Sequence, residues 1–243
     1  MNRSTQLEEY LTNECSFDLV KNPDNIHEVD RSTTPVPIVE LFYRFGTGNY
    51  PQNLTEYIKP LTQDKFAKEV YEFCRENSNN NSFRKETKDA WFQRIKKAWA
   101  SIIRDVHFAF MMFEYQDKNQ AFDNVYFSIK KDIEEGADLV IEDKGITYHI
   151  NLFINSRKSR QFFDKKKKER QSKKTAIDIE VPMNFGGPKK ELQNKGDNIW
   201  LYTREHVESI NELINTNDCY AITDKYGKTI SKISKYSIEK VPQ

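Results

Sequence analysis

The chain has 243 residues, 38 Lys and Arg against 37 Asp and Glu, a formal net charge of +1, and 37% hydrophobic residues. That length supports one large or two small domains with a real core, and no stretch nears the roughly 20 apolar residues of a bilayer-spanning helix. Three scattered cysteines (Cys15, Cys74, Cys219) exclude a disulfide framework or a CxxC clip, and the polar opening Met1–Glu14 lacks the apolar run of a secretory signal, so a cytoplasmic protein without membrane attachment is expected.

The first 84 residues read as a helical N-terminal region. Thr5–Asn13 is a short amphipathic helix, and Pro35 and Pro37 precede a helix over Ile38–Phe45. Thr62 caps a helix running to Asn77, with Phe66, Val70, Phe73 and Cys74 at helical spacing. The polar run Ser78–Ser82 is the linker to a second region, 85–217. It opens with the strongest helix, Lys85–Tyr115. Phe92, Ile95, Trp99, Ile102, Ile103, Val106, Phe110 and Phe113 form one stripe, while Phe108, Met111 and Met112 bury the other side of its C-terminal half. His107 lies off that stripe and reads as a satisfied structural histidine. The three tryptophans, Trp91, Trp99 and Trp200, read as core.

The period then changes from 3.6 to 2. Strands are expected at Asn124–Lys130, Asp138–Ile141 and Ile146–Asn155, with Glu142–Gly145 as a tight hairpin turn. A helix over Arg157–Lys174, a strand at Ala176–Val181, a loop over Pro182–Asp197 and a strand at Asn198–Tyr202 follow. Thr203 caps a helix to about Asn215. A C-terminal extension, 218–243, holds a hairpin of Tyr220–Asp224 and Lys228–Ile233 turning at Tyr226-Gly227. No repeat is visible.

The net charge conceals a separation. Arg157–Lys174 contains ten basic and two acidic side chains, a charge of +8, which leaves −7 on the rest. A solvated helix face is the bland reading. The functional one is a phosphate-contacting helix, in which Lys158, Arg160, Lys165, Lys166, Lys167, Lys168 and Arg170 grip a polyanion with salt-sensitive affinity. Phe162 and Phe163 interrupt the run as anchors and favour an ordered helix.

From Lys85 to Val181 the order is helix, strand, strand, strand, helix, strand, and Gly136-Ala137-Asp138 puts a carboxylate at the entrance of the second strand. This order and this acid resemble the PD-(D/E)xK nuclease superfamily, the restriction-endonuclease-like αβββαβ fold, over roughly 100 residues. The resemblance implies an α+β or α/β core and a Mg²⁺- or Mn²⁺-dependent endonuclease that hydrolyses phosphodiester bonds. Asp138 would be the metal ligand, and the setting would be bacterial restriction or antiviral defence. It implies nucleic acid as substrate, DNA ahead of RNA.

The second half of the motif departs from the family. Glu142-Asp143-Lys144 matches the letters but falls in the hairpin turn. On the third strand the polar positions are His149, Asn151 and Asn155. A turn centred between Asp143 and Ile146 puts Asn151 opposite Asp138, where facing Cβ atoms are about 5 Å apart and can share a metal. Asn155-Ser156-Arg157 keeps a polar-x-basic pattern with amide and guanidinium in place of carboxylate and amine, and arginine cannot take a proton. The candidate catalytic set is therefore Asp138, Asn151, Asn155 and Arg157. Replacement acids are available from Asp178 and Glu180, or from Asp132, Glu134 and Glu135. The alternatives are an inactive nuclease-fold subunit that binds nucleic acid through 157–174, or one whose basic block meets an acidic protein partner or a second copy. No phosphate loop, nucleophile elbow or HExxH motif is present, and four scattered histidines make no zinc site.

Overall fold

A computed structural model describes residues 1–15, 59–77, 87–128, 131–132, 135–154, 176–183, 192–195, 199–215, 231–234 and 237–240. The fold is mixed α+β. The described helices are α1 (Arg3–Asn13), α2 (Gln63–Asn77), α3 (Lys88–Asn119) and α4 (Arg204–Asn215). The strands are β1 (Asn124–Tyr126), β2 (Leu139–Asp143), β3 (Ile146–Ile154), β4 (Ile177–Met183), β5 (Gln193–Lys195), β6 (Ile199–Leu201), β7 (Ser231–Ser234) and β8 (Ser237–Lys240). Two compact units divide the chain, Met1–His107 with Asn194–Trp200, and Phe108–Gln193 with Leu201–Gln243. The division runs through α3, whereas the linker read from sequence at Ser78–Ser82 lies outside the described residues, as does the helix expected at Ile38–Phe45.

The first unit is helical because its apolar residues recur at helical spacing. Leu7, Tyr10 and Leu11 of α1 are buried, as are Phe66, Ala67, Val70 and Cys74 of α2. Thr62 Oγ1 accepts the Lys65 N–H at 3.4 Å, and Thr87 Oγ1 caps α3 by accepting the Ala90 N–H at 3.2 Å. Trp99 Nε1 donates to the Leu61 carbonyl (3.0 Å), tying α3 to the start of α2. Trp91 and Trp99 are core; Trp200 is only half-buried, and its carbonyl accepts from Arg104 Nε at 3.0 Å.

His107, read as a satisfied structural histidine, is buried and satisfied at one ring nitrogen only, its Nδ1 having no hydrogen-bond partner among the described residues. Its Nε2 lies 2.8 Å from Glu8 Oε1, and Lys195 Nζ lies 3.1 Å from Glu8 Oε2. Burial pushes the Glu8 carboxyl up, but the hydrogen bonds and charges of His107 and Lys195 outweigh it and hold the group at about 2.

The second unit is built on a sheet of order β1-β2-β3-β4-β7-β8. β1, β2 and β3 are antiparallel in sequence, β4 is parallel to β3, and β7 is parallel to β4. A parallel neighbour requires a crossover connection of a dozen or more residues. The segment from Ile154 to Ile177 supplies that length, and the helix expected within it at Arg157–Lys174 lies outside the described residues.

The β2–β3 turn is tighter than the four-residue stretch read from sequence. Asp143 pairs with Ile146, so only Lys144 and Gly145 turn, both at positive φ (50° and 77°), as a two-residue hairpin of this hand requires. Glu142 and Asp143 therefore belong to β2. Two further segments differ from expectation. β5 lies in a stretch read as loop, because Gln-Asn-Lys carries no hydrophobic alternation and pairs with β6 through tertiary proximity alone. The C-terminal hairpin pairs Ser234 with Ser237, beyond the expected turn at Tyr226-Gly227, which lies outside the described residues.

Alternation along the central strands separates two faces. Leu139, Ile141, Tyr148, Ile150, Ile179, Val181 and Met183 are buried on one of them. Tyr202 joins this unit together. Its ring packs edge-on against Phe108 of α3 and His206 of α4, and its hydroxyl donates to the Val181 carbonyl at 3.1 Å.

Candidate functional site on the polar face of the sheet

The other face carries the polar chemistry. The observed β2–β3 register pairs Leu139 with Ile150 and Val140 with His149, so continuing it one residue places Asp138 opposite Asn151, as the turn position alone predicts. β4 extends the row, because Asn151 pairs with Glu180. Asp138, Asn151 and Glu180 thus stand side by side across three strands, each about 5 Å from the next. The adjoining row is Tyr126, Val140, His149 and Asp178. Asn151, Asp178 and Glu180 are 2%, 5% and 4% exposed, and His149 is fully buried.

Local structure explains the placement of Asp138. Ser128 Oγ accepts the Lys131 N–H at 3.2 Å and starts a helical turn, which Gly136 ends at φ 76° with its N–H on the Asp132 carbonyl (2.9 Å). Glycine suits this left-handed position, and Ala137 after it is fully buried. Asp138 then enters the sheet. Its N–H donates to the Ile150 carbonyl at 2.9 Å, and its Oδ2 accepts the Leu152 N–H at 2.5 Å. Asp138 therefore secures β3 just beyond the last paired residue of β2, in addition to any chemistry it performs.

Asn151 links the rows. Its Nδ2 donates to Asp178 Oδ1 and to the His149 carbonyl, each at 3.2 Å. Glu135, from the turn before Asp138, reaches over the same face, with its Oε2 3.4 Å from His149 Nε2 and its Oε1 2.5 Å from Lys131 Nζ. Glu142 accepts from Asn124 Nδ2 (3.3 Å) and Tyr126 hydroxyl (3.1 Å). Burial first, then Glu142 and Glu135, push the Tyr126 hydroxyl upward.

The expected site residues divide sharply. Asp138 and Asn151 come together as the register predicts, and the replacement acids Asp178 and Glu180 lie on their face. Asn155, Arg157 and the basic set Lys158, Arg160, Lys165, Lys166, Lys167, Lys168 and Arg170 lie outside the described residues. His149 and Glu135 join the face without having been read as one site. His149 shares the strand parity of Asn151, a signal present in the sequence, but the approach of Glu135 depends on how the preceding turn folds.

Carboxylate and amide oxygens are the donors that Mg²⁺ and Mn²⁺ take, and Mg²⁺ commonly uses one or two carboxylates with water completing its shell. Asp138 and Glu180 supply two such groups flanking Asn151. Among the described residues no three His, Cys, Asp or Glu side chains form a group able to hold a metal ion. No protein-family model, curated protein or solved structure matches the chain.

Proposed function

We propose that this chain is a nucleic-acid phosphodiesterase of the PD-(D/E)xK kind, with its site on the polar face of β2, β3 and β4. The observation that carries the reading is the row Asp138–Asn151–Glu180, which brings an acid from the entrance of β2 and an acid from β4 to either side of one polar position on β3. The strand directions support it, since β2 runs against β1 and β3 while β4 runs with β3. In this reading Glu180 takes the place of the acid that the family carries on its third strand. Asp138 and Glu180 would hold Mg²⁺ or Mn²⁺, which when bound polarises a phosphoryl oxygen and acidifies water. The +8 segment Arg157–Lys174 would hold the backbone of DNA or RNA. A role in restriction or antiviral defence rests on the resemblance alone.

Asp138 also holds the Leu152 N–H, so its test separates folding from chemistry. Asp138→Asn keeps an acceptor for that N–H and removes the charge. Mg²⁺-dependent cleavage should fall on the order of 10²–10³-fold with the melting temperature little changed, as for loss of one preorganised electrostatic group. Cleavage at the wild-type rate in a folded Asp138→Asn protein rejects the site.

A second reading is favoured by the amide at Asn151 where an acid would serve a metal better. There the chain binds nucleic acid through its basic segment without cutting it, and both wild type and Asp138→Asn retain DNA or RNA with no cleavage in Mg²⁺ or Mn²⁺.

A further inference from the structure

Glu8 of α1 meets two other elements of the helical unit. Its Oε1 lies 2.8 Å from His107 Nε2 on α3, and its Oε2 lies 3.1 Å from Lys195 Nζ on β5. A carboxylate only accepts, so both neighbours donate to it and each oxygen serves a different element. The two contacts differ in setting. The His107 side chain is wholly buried, whereas that of Lys195 keeps 26% of its surface exposed. Solvent ions therefore reach the outer contact and not the inner one.

α1 and β5 depend on charge to different degrees. α1 buries Leu7, Tyr10 and Leu11, an apolar hold that no loss of charge removes. β5 is three residues long, Gln-Asn-Lys, and brings no apolar side chain. Its sheet has only β6 as a second strand, too little to be stable by itself. β6 has anchors of its own, the buried Ile199 and Leu201 and the Trp200 carbonyl on Arg104 Nε. We infer that Glu8 is a latch for β5: it grips α3 through His107 and β5 through Lys195, and breaking the Lys195 contact frees β5 while α1, α3 and β6 stay packed. β5 is then a strap that loosens as ionic strength rises. No residue of the polar sheet face takes part, so the latch stands or falls independently of the nuclease reading.

The test is amide hydrogen exchange of the full chain by mass spectrometry, followed over peptides covering α1, α3 and β5. Lys195→Met keeps the aliphatic stem, removes the ammonium and leaves Glu8 and His107 in contact. Exchange at β5 should rise at least about tenfold, the scale of one hydrogen bond to a charged group, with α1 and α3 unchanged. Glu8→Gln should raise β5 exchange as much, and the double variant no further, because both substitutions remove the same contact. In wild type, raising NaCl from about 0.1 M to about 1 M should speed β5 exchange several-fold, a response that Lys195→Met lacks. Unchanged β5 exchange in Lys195→Met overturns the inference. So do an equal rise over α1, which would make Lys195 a general support of the unit, additive effects of the two substitutions, and a wild-type β5 rate indifferent to salt. Should Glu8→Gln fail to fold, Lys195→Met and the salt series decide by themselves.

Discussion

Lys144 occupies a backbone position that lysine disfavours. At φ 50° it is the first of two left-handed residues in the β2–β3 turn, where asparagine before glycine is the preferred pair. Its N–H is held by Asp123 Oδ2 at 2.7 Å, a bond any residue keeps, and its exposed ammonium lies 3.4 Å from the buried Asp143 carboxylate, the one contact that replacement of the side chain removes. If the left-handed backbone cost outweighs that contact, Lys144→Asn should stabilise the protein by about 1 kcal/mol, read as a higher denaturant midpoint at unchanged slope. A lower midpoint would mean that the Lys144 side chain matters more than its backbone. The turn itself was legible from Glu142–Gly145, and its centre predicted the Asp138–Asn151 pairing. Its length was not, because Glu142 and Asp143 have the composition of turn residues and are strand residues only through their pairing with Thr147 and Ile146.

At the scale of elements, α4 begins on an unusual reciprocal cap. Thr203 was readable as its cap, but the partner is His206, whose Nδ1 lies 3.0 Å from Thr203 Oγ1 and accepts the Thr203 N–H at 3.2 Å. Burial pushes the His206 imidazole down from 6.5 to about 4, against a smaller upward pull from its backbone contact with Thr203. The unfolded chain thus binds a proton that the folded chain refuses. Stability from this group is complete above pH 6.5 and is lost as pH falls towards 4, by about 3 kcal/mol at most. His206→Gln, which keeps an acceptor but cannot titrate, should flatten the stability profile between pH 6.5 and 4. An unaltered slope would place the acid sensitivity elsewhere. The elements themselves were largely readable, since α1, α2, α3 and β1 to β4 follow periodic apolar residues. β5 was not, for it has no such pattern.

For the molecule as a whole, charge separation makes the sharpest prediction. If Lys165, Lys166, Lys167 and Lys168 contact phosphates, replacing all four with Gln should weaken retention on duplex DNA and reduce the slope of log affinity against log salt by about 3–4. An unchanged slope would favour an acidic protein partner for this segment. The sequence by itself determined the order of helices and strands, the charge block and the facing of Asp138 with Asn151, because period, composition and turn position are local properties of the chain. Only the tertiary structure decided that Glu180 and Asp178 stand beside Asn151, that the Asn151 amide donates to Asp178, and that Asp138 secures the Leu152 N–H. The first two relations depend on the parallel register of two strands separated by more than twenty residues, and nothing local to either strand specifies that register.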